Sequence, residues 1–261
     1  MRDVERVAFL GHSTVLLELG GARLLTDPLL RERVGPLRRR SPAPAASGLG
    51  ALDAVLISHA HRDHLDAPSL RSLDPATRVI APRGSRRLLE RIGLREVTEV
   101  CEGDQVTVGG AAVSAVPAIH GGPRTPFIGG HADCVGYVVS TVAGDAPDIY
   151  FAGDTEVFEG MAELGPLDLA LLPVWGWGPT LGPGHMNPAQ AAEALALLRP
   201  RIAIPIHWGT MHMIGLGWRR PRWLTDPPHE FARRAALVAP DVDVRVLEPG
   251  AWLDVPPPTA S

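Results

Sequence analysis

The chain contains no lysine: all 25 of its cationic residues are arginine. We read this as a compositional bias of the source and attach no function to it. Cysteine is nearly absent too, with only Cys101 and Cys134 in 261 residues. Two thiols so far apart, with no signal peptide ahead of them, give no disulfide framework and fit a reducing cytoplasm. The start, Met1-Arg2-Asp3-Val4-Glu5-Arg6, is charged and has no apolar leader segment. No apolar run approaches the length that spans a membrane. There is no excess of positive charge either: net charge is −4 and the pI about 6.2. That speaks against a general nucleic-acid or anionic-membrane surface. At 261 residues and 45% hydrophobic content, one globular domain over residues 1–261 with a sizeable core is expected.

What is present is concentrated. The apolar run Ala54-Val55-Leu56-Ile57 leads into Ser58-His59-Ala60-His61-Arg62-Asp63-His64. Neutral imidazole and carboxylate are ligands for zinc, iron or manganese. Side chains on an extended segment alternate, so His59 and His61 share one side. Asp63 and His64 follow around a turn and can face a second point. One loop thus offers two half-sites, which suggests two metals.

Three other places repeat the pattern of a strand-like run, a ligand-type residue and a turn. Ala112–Ile119 delivers His120, Ile149–Gly153 delivers Asp154, and Ile202–Ile206 delivers His207 ahead of Trp208-Gly209. Ligands gather at the carboxyl ends of strands in α/β architectures. Four strand ends therefore give seven candidate metal ligands: His59, His61, Asp63, His64, His120, Asp154 and His207.

Paired runs around Gly20-Gly21 and Gly109-Gly110 read as hairpins, with strands at Val4–Leu10, Thr14–Leu19, Arg23–Thr26, Gln105–Val108 and Ala112–Val116. Gly84–Ile92 reads as a helix ended by Gly93. Asn187 with Pro188 opens a helix running through Leu198, and Asp226 is the expected cap of a second helix beginning near Pro227.

The order H-x-H-x-D-H, a single His, an Asp in F-A-G-D-T and a final His in P-I-H-W-G-T resembles the metallo-β-lactamase fold family of metallohydrolases. The opening Leu10–Glu18 with Leu25-Thr26-Asp27-Pro28, and Gly184-His185-Met186-Asn187-Pro188, are similar to the branch holding N-acyl-phosphatidylethanolamine phospholipase D and ascorbate-6-phosphate lactonase. The resemblance runs from about residue 7 to about residue 250 and implies an α/β fold, the αββα four-layer sandwich. It implies one metal on His59, His61 and His120, a second on Asp63, His64 and His207, and Asp154 bridging them. The cofactor expected is a pair of divalent transition-metal ions, zinc first, with manganese or iron as alternatives. Such a pair makes hydroxide available near neutrality. The activity implied is phosphodiester hydrolysis, of phospholipase D type or on a smaller diester. Lactone or other carboxylic-ester opening is the alternative, and a non-catalytic metal-binding module the third reading. Neither cysteine occupies a ligand position, which argues against a β-lactam role.

Around that set, Asp63 doubles as a proton acceptor and His185 is the candidate acid or oxyanion partner. His12 and Asp27 are candidates to hold ligating imidazoles, His12 alternatively capping a strand end. Trp175 and Trp177 could line the substrate pocket or pack in the core. His131 is a weaker candidate, and His212 and His229 read as surface residues. Two segments look irregular. Leu29–Gly50 carries Arg31, Arg33, Arg38, Arg39 and Arg40, as a solvated loop or as a lid meeting an anionic substrate. Met211–Trp223, with Met213, Ile214, Leu216 and Trp218, reads as a pocket wall, a dimer contact, a lipid-facing surface or core packing. The partners expected are a small-molecule or lipid-like anionic substrate and no nucleic acid, with homo-oligomerisation left open.

Overall fold

The structure is a computed structural model and describes residues 5–120, 133–144, 146–215 and 221–257. Two seven-stranded sheets face one another. The first is built from β1 (Arg6–Gly11), β2 (Thr14–Leu19), β3 (Ala22–Thr26), β6 (Ala54–Leu56), β7 (Arg78–Pro82), β8 (Val97–Val100) and β17 (Ala251–Asp254), in the order β17-β1-β2-β3-β6-β7-β8. The second is built from β9 (Gln105–Val108), β10 (Ala111–Pro117), β11 (Val135–Thr141), β12 (Ile149–Phe151), β13 (Leu169–Pro173), β14 (Ile202–Ile206) and β16 (Asp243–Val244), in the order β16-β14-β13-β12-β11-β10-β9. Each sheet is antiparallel on one side and parallel on the other: β3, β6, β7 and β8 run parallel in the first, β12, β13, β14 and β16 in the second.

Helices α1 (Ala67–Arg71) and α2 (Arg86–Arg91) cover the outer face of the first sheet, where Leu70 and Leu89 join Ala8, Leu16, Leu25, Val55 and Val79 in one apolar cluster. Helices α3 (Pro188–Leu198) and α4 (Pro227–Val238) pack on the second sheet through β13 and β14. The inner faces meet in the main core, which holds Val7, Leu17 and Leu24 from one sheet with Val113, Tyr137 and Phe151 from the other. This is the expected αββα sandwich, and side-chain alternation along each strand is its cause.

Local signals explain the turns. Gly20 and Gly21 both have positive φ, 59° and 72°, as a two-residue hairpin between Leu19 and Ala22 requires. Asn187 accepts from the amides of Ala189 and Gln190, and Gln190 returns a bond to the Asn187 amide, so α3 starts where expected. Asp226 sits before α4 but does not cap it. Its carboxylate accepts from Arg222 Nε and Thr225 Oγ1 instead. Pro228 removes one of the two amides a cap bonds, and Asp226 has helical φ and ψ of −80° and −29°, not the extended backbone that aims a capping side chain at the other.

The two irregular segments turn out to be one structure. β4 (Arg33–Val34), β5 (Leu37–Arg39) and β15 (Met211–Met213) form a three-stranded sheet in the order β15-β5-β4. Leu29, Val34, Leu37 and Met211 bury together beneath it. Neither segment repeats long enough for its period to be read in the sequence. Leu216 and Trp218, like His131, lie outside the described residues.

Candidate metal centre

The ligand-type side chains emerge where the parallel strands end. Asp27 follows β3, Ser58 to His64 follow β6, Asp154 follows β12, His207 follows β14, and His120 follows the antiparallel β10. The β6 loop is tied to the opposite sheet: Tyr137 Oη donates to Ile57 O at 2.8 Å, and the Val135 amide donates to Ser58 O at 3.0 Å. All seven candidate ligands come together.

They fall into two groups. In one, His61 Nδ1 lies 3.0 Å from His59 Nε2 and 3.0 Å from His120 Nε2. In the other, His64 Nε2 lies 3.2 Å from His207 Nε2, and Asp63 Oδ2 is 3.8 Å and 3.9 Å from those same nitrogens. Asp154 stands between the groups. Its Oδ2 is 3.1 Å from His64 Nε2 and 3.8 Å from His59 Nε2, and its Oδ1 is 3.3 Å from His207 Nε2.

The far nitrogens decide what the near ones carry. His120 Nδ1 donates to Gly184 O at 2.7 Å and His207 Nδ1 to Trp175 O at 2.9 Å, because a carbonyl only accepts. His64 Nδ1 donates to Asp27 Oδ2 at 2.7 Å. Ser58 Oγ gives its hydrogen to Asp27 Oδ2 at 2.5 Å, so it accepts from His59 Nδ1 at 2.9 Å. In the neutral form all four rings therefore turn a bare Nε2 lone pair to the same region. Lone pairs held about 3 Å apart repel unless a cation lies among them. Asp154 Oδ1 adds a buried oxygen without a hydrogen-bond partner. The residues present fit a metal cluster.

Burial and mutual repulsion keep His59, His61, His120 and His207 neutral. Burial, with His120 and His64 adding to it, pushes His61 down to about 4. Burial, aided by His12 and His64, takes His207 to about 3. Burial lowers His59 and His120 as well. For His64, burial is outweighed by Asp154, Asp27 and Asp63, which hold it well above the usual imidazole value. Burial would raise Asp154 and Asp63, but the facing histidines keep both well below the usual carboxylate range.

The surrounding candidates separate by what they touch. Asp27 is fully buried and holds His64 directly and His59 through Ser58. His12, 1% exposed and with φ of 57°, places Nε2 3.0 Å from Asp63 Oδ2. Its carbonyl accepts from the His207 amide and its own amide donates to Thr210 Oγ1, so it links Asp63 to His207. His185 is half-buried with Nε2 3.3 Å from Asp154 Oδ2. Trp175 reaches the cluster by its carbonyl, while its indole Nε1 donates to Gly178 O. Trp177 is exposed. Ser58, the carbonyls of Gly184 and Trp175, and Thr210 escaped the sequence reading. Serine beside a ligand histidine was the only signal available; a carbonyl leaves none.

In the Leu29–Gly50 segment, Arg39 is buried and donates to Leu29 O and Leu10 O. Arg40 Nη1 donates to Gly209 O and Leu224 O, and Arg31 pairs with Asp66. These three arginines hold backbone and carboxylate of the chain itself.

Two facing sheets of mixed direction, with a histidine and aspartate cluster at their strand ends, define a metallohydrolase class. Residues 22–208 match the family described as Beta-lactamase superfamily domain. The chain is 35% identical over 268 residues to a UPF0173 metal-dependent hydrolase of Opitutus terrae, covering 96% of this chain and all of the relative. It is 34% identical over 230 residues to N-acyl-phosphatidylethanolamine-hydrolyzing phospholipase D 1 of Caenorhabditis elegans, covering 78% of this chain and 64% of that relative. Among solved structures, Igni18, a metallo hydrolase from Ignicoccus hospitalis, superposes with a TM-score of 0.69 at 23% identity, covering 96% of this chain and 98% of that one. The chain belongs to the β-lactamase superfamily, among its metal-dependent hydrolases. No helix of the described residues is long and apolar enough to cross a membrane.

Proposed function

We propose that this hydrolase holds two metal ions and cleaves a phosphodiester. The observation that carries the reading is the convergence of four Nε2 lone pairs with the orphaned oxygen of Asp154. His59, His61 and His120 would hold one ion and Asp63, His64 and His207 the other, with Asp154 shared. Imidazole and carboxylate donors at this ratio suit zinc, with manganese or iron compatible. When bound, such a pair supplies an activated water and a Lewis acid for the developing oxyanion.

The chain's own residues do the rest. Asp27 fixes the tautomers of His64 and, through Ser58, of His59. His12 holds the carboxylate of Asp63, which makes Asp63 a ligand first and a proton acceptor second. His185 is the proton donor. Its Nδ1 faces Pro183 O at 3.0 Å and Gly182 O at 3.2 Å, and its Nε2 faces Asp154, so both nitrogens have acceptors. Burial would lower its pKa, but the bond to Asp154 outweighs it and raises the group. A proton kept at Nε2 can pass to a leaving oxygen. The phospholipase D relative supports a diester of lipid-like or smaller kind.

The test is a panel of bis(p-nitrophenyl) phosphate, a diacyl phosphodiester, a homoserine lactone and a thioester, run on metal-analysed protein. Diester hydrolysis that chelation abolishes and zinc restores is expected. Turnover of the lactone alone, or undiminished diester hydrolysis by chelated protein, overturns the reading.

A further inference from the structure

A second pocket lies behind the loop that follows His207. Its volume is about 620 Å³, within the range of small-molecule sites. Trp208, Gly209 and Thr210 line it, but none of the seven candidate metal ligands does. It is therefore separate from the metal centre and independent of the diester reading.

Arg38 in its wall belongs to a row of basic side chains. In the three-stranded sheet, Arg38 stands opposite Arg33 on β4 and opposite His212 on β15. Directly opposed residues project from the same face of a sheet, and like charges so placed are destabilising. Most of the segment's other arginines have partners. Arg31, Arg39 and Arg40 are spent on Asp66 and on carbonyls. Arg33 and Arg38 have no ion pair or side-chain hydrogen bond among the described residues. Arg38 and His212 line the pocket, and His229 joins them from the first turn of α4. Among the described residues, Glu248 is the one carboxylate lining it. Phe9 and Trp208 back the pocket as a stacked pair, centroids 6.3 Å apart and planes at 20°, but both rings are buried, and the exposed apolar side chain in the lining is Ile214. The half-buried His212 is thus not the plain surface residue that its sequence context suggests.

We propose that this pocket binds a small phosphate-class anion carrying an apolar substituent. A planar guanidinium takes a phosphoryl or phosphonyl group through two parallel N–H donors, and Arg38 is placed to do so. His212 Nδ1 donates to Met213 O at 2.9 Å, which leaves Nε2 to accept from the P–OH of a monoanion across the ladder, and Ile214 takes the apolar part. The site sits against the carbonyl of Gly209 and the hydroxyl of Thr210. These belong to the loop that Arg40 tethers and that reaches His12.

The test titrates full-length, metal-loaded protein with phenylphosphonate, which resists hydrolysis, by isothermal calorimetry. A saturable site is expected in the wild type and in His185→Ala, whose change lies at the metal centre. Arg38→Gln should weaken this site at least tenfold, and Arg38→Gln with His212→Gln should remove it. Inorganic phosphate should bind at least tenfold more weakly than phenylphosphonate, since it has no apolar group to set against Ile214. Both substituted residues lie at the surface of the small sheet, and circular dichroism checks that the fold is kept. The proposal is overturned if wild-type protein shows no binding up to millimolar ligand, or if the double variant binds as the wild type does.

Discussion

The two groups of ligand-type residues are built differently. His59, His61 and His120 are all imidazoles, and His61 is only partly buried. Asp63, His64 and His207 include a carboxylate, and both of their rings are nearly fully enclosed, at 0% and 1% exposure. The second group is also braced more heavily. His64 leans on Asp27, Asp63 on His12, and His207 on Trp175 O. A site whose donors are already fixed loses less freedom on binding, so the second group should hold its ion more tightly. The first group should exchange with solvent faster. Asp154 and Asp27 serve both, which makes them the places where the contrast disappears.

Substitution of Asp154 should have the largest effect. Asp154→Asn removes the shared negative charge, and a neutral amide cannot balance two dications. Elemental analysis should show both ions depleted, and loss of one ion alone would remove Asp154 from its bridging place. His185→Ala comes next. It should keep both ions and the fold while kcat falls by roughly 10²–10⁴, the scale of a lost general acid. The loss should be smallest for substrates with good leaving groups, and a variant that loses metal would instead make His185 a ligand.

Asp27→Asn should weaken both ions by about 10–100-fold, as expected for a partner behind a ligand. A loss confined to His64's group would mean that the Ser58 relay to His59 carries nothing. Gly184→Ala should divide the groups. A Cβ there would meet His120 Nδ1 at 2.5 Å, and Gly184 has φ of 78°. The ion of the first group should dissociate readily while the second stays. Stepwise chelation followed by metal analysis reads the difference, and equal loss from both groups would defeat the comparison. His12→Phe should be the mildest, keeping the buried ring but not the bond to Asp63. It should weaken the second ion by about tenfold, with the first unchanged in the same chelation series.

Sequence and structure agree most where chemistry is local. The residues from His59 to His64 announce themselves because four metal-type side chains stand in six positions. The hairpins at Gly20-Gly21 and Gly109-Gly110, and the capped start of α3, follow from turn and cap chemistry that spans only a few residues. Asp226 shows the limit of such rules: the residue type suits a cap, but its helical backbone and the proline at the second helical position leave the cap unmade. The arginines of Leu29–Gly50 show another limit. Five similar side chains in one segment divide between internal tethers and an exposed row, and nothing in their spacing tells them apart.

The sequence by itself therefore determined the candidate ligands, because donor type is written residue by residue, and the fold family through the resemblance that its motifs carry. Tertiary structure alone decided which nitrogen of each imidazole faces inward. That choice is made by Gly184 O, Trp175 O, Ser58 Oγ and Asp27 Oδ2, and two of these are main-chain carbonyls, which carry no side-chain signature. It also decided that β5 and β15, about 170 residues apart in the chain, pair so that Arg38 meets His212. Strand pairing over such a distance is set by burial of Leu29, Val34, Leu37 and Met211 together, and that apolar contact exists only once the sheets have closed.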